Sequence, residues 1–131
     1  MSLSVTAELK QQARNGDLSL GEFINCVRQS LPSAWQVVES LAASLNKQQS
    51  LTHAVHAPRN MEDEQRGQLL RLMASSSMKA AIERHYGLKF EFQNCHNVGA
   101  FRPDAVGSEE HRRFISAEAQ ILAQSPELVD C

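Results

Sequence analysis

Gly87-Leu88-Lys89-Phe90-Glu91-Phe92-Gln93-Asn94-Cys95-His96-Asn97 is the stretch on which the reading of this fold turns. Leu88, Phe90 and Phe92 alternate with Lys89, Glu91 and Gln93. That is the two-residue period of a half-buried strand, predicted here over 88–93. Val98 to Phe101 offers a partner, so a hairpin is expected across Asn94–Asn97, ended by Arg102-Pro103-Asp104. A two-stranded hairpin alone is marginal in water. It must lie on helices, find a third strand or pair across a dimer.

Outside this stretch the apolar spacing is helical. Just upstream, Met78, Ala81, Ile82 and His85 recur at i, i+3, i+4 and i+7, and Gly87 suits the left-handed residue that ends a helix. Before them, Leu69, Leu70, Leu72 and Met73 are the predicted buried set of a helix capped by Asn60. Glu62, Asp63 and Glu64 occupy its first turn, where the helix dipole favours negative charge. Ser75-Ser76-Ser77 either interrupts that helix or lies on its exposed side.

Further toward the N-terminus, residues 4–14 form a short helix ended by Asn15-Gly16-Asp17. Ser19 and Glu22 have the spacing of a capping box. Leu20, Phe23, Ile24, Val27 and Leu31 follow as one apolar face. Pro32 stops that helix, because its ring disfavours helical geometry at the preceding residue. A second box, Ser33 with Gln36, opens a helix carrying Trp35, Val38, Leu41, Ala42 and Leu45. The short corner makes the two helices neighbours.

Residues 47–60 show little periodicity and read as a long loop. Ser108, Glu109 and Glu110 begin a last helix bearing Phe114, Ala117, Ile121 and Leu122. Ser125-Pro126 ends it, leaving 125–131 as a flexible tail. The expected architecture is mainly α: a single domain over 1–131, with five or six helices and one small β-hairpin. Phe23, Ile24, Val27, Trp35, Val38, Leu41, Leu69, Leu70, Ile82, Phe90, Phe92, Phe114 and Ile121 are its predicted core.

Composition narrows the function classes. The 131 residues suffice for one unstapled core, with 42% hydrophobic and 21% charged residues. A formal net charge of −2 argues against a general polyanion binder, which must neutralise many phosphates, and against a membrane-binding surface. Cys26, Cys95 and Cys131 are too scattered for a disulfide scaffold. The opening residues lack the charged and apolar regions of a secretory signal, and no run is long enough to span a membrane. A reduced, soluble, cytoplasmic protein is the expectation.

Candidate chemistry is sparse. Cys95-His96 is the one adjacent pair of reactive side chains, and a thiolate nucleophile needs its base to converge on it. Neighbours on an extended strand point to opposite faces, so only a turn could unite the two. Otherwise His85 would have to approach from the preceding helix. The plainer reading is a hairpin thiol beside a hydrogen-bonded histidine. His53 and His56 stand at i, i+3 and could begin a metal site, but no second tight pair accompanies them, and solvated loop histidines suffice.

Arg66, Arg71, Lys79, Arg84 and Lys89 against the single acid Glu83 make 66–89 the one basic stretch. Arg66, Arg71 and Arg84 are therefore the candidates for a DNA-binding face, although basic residues on helices usually just keep a face solvated. Phosphate-loop, dinucleotide and serine-hydrolase signatures are absent. No cofactor is expected, and an enzyme is the less favoured class. By elimination the chain reads as a macromolecule-binding or regulatory module whose partner is another protein or a second copy of itself. The free edges of a short hairpin are suited to either. A DNA-binding regulator and a Cys95 enzyme are the alternatives.

Overall fold

A computed structural model of the protein describes residues 3–57 and 60–123. The expected tail at 125–131 lies outside them. The described chain is mainly α, with helices α1 (Ala7–Asn15), α2 (Leu20–Ser30) and α3 (Pro32–Lys47), then strand β1 (His53–His56). Helices α4 (Asp63–Ala74) and α5 (Ser76–Tyr86), strands β2 (Lys89–Phe92) and β3 (Val98–Phe101), and helices α6 (Glu109–Phe114) and α7 (Ala117–Leu122) follow.

Local chemistry sets most boundaries. The Ser19 hydroxyl accepts the Glu22 N–H, and Gly87 ends α5 at φ 66°, as the spacing predicts. Ser75 both ends α4 and caps α5 by accepting the Met78 N–H. Three starts differ from expectation. Pro32, not Ser33, opens α3, since proline's fixed φ suits the first helical position and its missing N–H is no loss there. The orphan amides of Ser33 and Ala34 are met instead by Gln68 Oε1 on α4, at 2.8 and 3.3 Å. Glu62, rather than Asn60, precedes α4, and its N–H donates to Gln65 Oε1. The expected last helix is two, because the Ser116 hydroxyl accepts the Ala119 N–H and starts α7 afresh.

The sheet is larger than a hairpin. β2 and β3 pair antiparallel as predicted, but β1 pairs antiparallel with the other side of β3, giving the order β1-β3-β2. Thus the loop expected at 47–60 contains a strand. Its apolar residues, Ala54 and Val55, are adjacent, so no alternation betrays it. Arg102 seats β1: its guanidinium donates to the carbonyls of Leu45, Gln48 and Leu51 at the end of α3, while its own N–H meets Thr52 O.

Register divides the sheet into two faces. Phe90, Val98 and Ala100 lie on the face that packs into the helical core with Ile24, Val27, Trp35, Val38, Leu41, Leu69 and Ile82. Phe101 lies on the other, edge-on to Phe114 of α6 at 5.5 Å. Gly99 makes this approach possible, since a Cβ there would stand 2.9 Å from both rings. The core expectation holds for most residues. Phe23 and Phe92 are only partly buried, and Phe114 is half-buried. Leu70 and Ile121 are corrections, at 50% and 73% exposure. Leu70 falls on the outer side of α4, and the break at Ser116 rotates Ile121 out of the stripe it would share with Phe114.

Candidate functional site

The turn between β2 and β3 gathers polar groups without glycine. Cys95 and His96 both take left-handed φ, 61° and 66°, which non-glycine residues adopt at a cost of about 1–2 kcal/mol each. Amides hold the turn: the Asn94 N–H donates to Gln120 Oε1 at 2.9 Å, and Gln93 Nε2 donates to Phe114 O at 2.8 Å. Asn97 Nδ2 closes the set on Gln93 Oε1. Cys95 is buried and is not a free thiol in the structure. The His96 ring meets Phe92 edge-on, and burial together with the nearby Arg66 charge pulls its pKa below the usual histidine value. His85 packs instead with Trp35 and Tyr86, on α5's exposed flank.

The two loop histidines are parted by the strand they turn out to occupy. Residues three apart on a strand point to opposite faces. His53 stacks flat on Phe101 at 5.4 Å. His56, on the core-side face, lines a cavity of about 330 Å³ with Ser33, Gln36, Ser40, Met61 and Gln65. The structure does not bring them to one centre. Among the described residues, no three of His, Cys, Asp and Glu gather where they could hold a metal ion.

Of the basic stretch, Arg66 is folded back on Asp63 and the Met61 carbonyl. Lys79 pairs with Glu91 and Lys89 with Glu83, both at 3.4 Å. Arg71 and Arg84 are exposed, on α4 and α5 respectively.

A buried acid–imidazole pair, invisible in the sequence, joins α6 to the sheet. His111 Nε2 lies 2.6 Å from Glu91 Oε2, and the Gly107 N–H donates to His111 Nδ1 at 3.0 Å. That backbone donor makes Nδ1 an acceptor and places the ring proton on Nε2, directed at Glu91. Both ring nitrogens are occupied, so the pair fastens elements together and has no nitrogen left for a substrate.

The remaining feature is the sheet's free margin. The Arg102 N–H reaches Thr52 O, so Ala54 and His56 are the β1 residues bonded to β3. The backbone N–H and C=O of His53 and Val55 therefore point outward. Among the described residues nothing hydrogen-bonds them. Val55 is 48% exposed. The opposite margin is guarded: the Phe90 N–H of β2 donates to the Glu83 carboxylate at 2.9 Å, Lys89 pairs with that carboxylate, and α5 packs alongside. On the sheet face that carries α6 and α7, a groove of about 420 Å³ runs from His53 of β1 to Gln93 and Asn97 of the β2–β3 turn, walled by Arg113, Phe114 and Leu122 of α6 and α7. An open strand edge next to a groove of mixed character can take an extended segment, with main-chain bonds at the edge and side chains in the groove.

Over residues 1–131 the chain matches a family model described as the NucS shadow ORF. No curated protein and no solved structure matches it. Among the described residues, no helix is long and apolar enough to cross a membrane.

Proposed function

We propose that this chain, which belongs to the NucS shadow ORF family, works by binding a protein partner that adds an extended strand to the free edge of β1. It is read as a binding module of the cytoplasm rather than an enzyme. The observation that carries this reading is the asymmetry of the sheet: among the described residues, His53 and Val55 present unpaired backbone groups outward, whereas the β2 margin is occupied by Glu83 and flanked by charge. An unpaired strand edge is a template for pairing with another chain, and charge, proline or a covering element are among the devices that block it.

Val55→Pro tests the reading. Its N–H points away from β3, so the substitution removes an outward donor without breaking the ladder. Random octapeptides should be selected on dilute wild-type protein and then challenged with the variant. Binders should be lost on Val55→Pro while circular dichroism remains that of the wild type. Amide exchange in the complex should slow at His53 and Val55 and change little at Ala54 and His56. Peptides held equally by both proteins, or protection confined to other elements, would refute the proposal.

A further inference from the structure

We infer that the strand accepted by β1 is β1 of a second copy of this chain, an inference that rests on the strand-accepting reading above. The ladder parity decides the geometry. Only His53 and Val55 direct backbone groups outward, so an antiparallel two-fold pairing confined to β1 must match His53 with the partner subunit's Val55. Ala54 then falls on the symmetry axis, facing the partner subunit's Ala54 as a pair without mutual hydrogen bonds. Such pairs approach most closely, at about 4.5 Å between Cα atoms, and alanine is small enough to allow it.

Charge admits this occupant. His53-Ala54-Val55-His56 contains no Lys, Arg, Asp, Glu or Pro, the residues that keep an edge from pairing with its own copy. A second copy therefore meets no lysine, arginine or carboxylate side chain anywhere along the strand. The half-exposed Val55 side chain would be covered by the partner subunit's His53, which already lies flat on its own Phe101. The guarded β2 margin matters equally. An edge pairing β1 with β2 of the next copy would propagate as a filament. Glu83, Lys89 and α5 stand against it. What remains is a closed pair with a continuous sheet in the order β2-β3-β1-β1-β3-β2.

Sedimentation equilibrium of the full chain, with charge-swapped variants, tests the inference. Residue 55 of each copy is a diagonal neighbour of the partner subunit's residue 55, about 7–8 Å away and within reach of long side chains. Wild type should sediment at twice 14.6 kDa. Val55→Lys and Val55→Glu should each sediment at the single-chain mass, with unchanged circular dichroism, and an equimolar mixture should regain the doubled mass. In an equal mixture of isotope-labelled and unlabelled wild type, an intermolecular Hα–Hα contact should appear at Ala54. A single-chain mass for wild type at every concentration, or a doubled mass that survives both substitutions, would overturn the second copy as occupant. If wild type is single-chain but still binds selected peptides through Val55, the strand-accepting reading stands without it. If it binds no peptide either, both fall.

Discussion

Gly99 shows how one side chain's absence sets the packing of a layer. It sits in the middle of β3, a poor place for glycine on conformational grounds, yet both Phe101 and Phe114 occupy the space where its Cβ would be. Gly99→Ala should therefore destabilise the protein by about 1–3 kcal/mol, the usual cost of overpacking, measurable by urea denaturation. Tyr86 offers a second readout. Its burial and the nearby Glu39 charge push the phenol up to about 12, with Arg28 opposing. Because this is the only tyrosine, its ultraviolet titration should have its midpoint about there rather than at 10.0. The sign for stability follows from the raised value. Below pH 10 the phenol is neutral in both states and costs nothing. Between pH 10 and about 12 the unfolded chain loses its proton first, so stability falls as pH rises.

At the scale of elements, caps and crossing contacts decide where helices begin. The first turn of α3 has no side-chain cap of its own and depends on Gln68, which is buried and bridges to α4. Gln68→Ala should leave the Ser33 and Ala34 amides unmet and cost about 1–3 kcal/mol in chemical denaturation. Gln68→Glu, which keeps an acceptor at the positive end of a helix, should recover part of that loss. The start of α2 at Ser19 and the end of α5 at Gly87 were legible because cap and stripe stand together in the sequence. The α3 start was misplaced because its acceptor is thirty-odd positions away, in a different helix.

For the molecule as a whole, the sheet is a partition: one face closes the α2–α5 core and the other carries α6 and α7. Phe90 belongs to the first and is fully buried, so Phe90→Ala should cost about 3–5 kcal/mol. Ile121→Ala, by contrast, should change the unfolding midpoint very little, since that side chain is 73% exposed. A large loss there would show that α7 buries its outer face in solution. Local pattern alone determined the mainly helical class, the β2–β3 hairpin, the break at Pro32 and most of the core, because period and cap chemistry are short-range properties. Tertiary structure decided the rest. β1 exists because β3 and Arg102 supply its bonds, and the same strand sends His53 and His56 to opposite faces. The Glu91–His111 pair unites residues from separate elements, and the open margin at His53 and Val55 emerges only when three strands take their register. Hydrogen bonds between distant segments leave no period in a sequence, which is why the proposed binding edge had to be read from the assembled sheet.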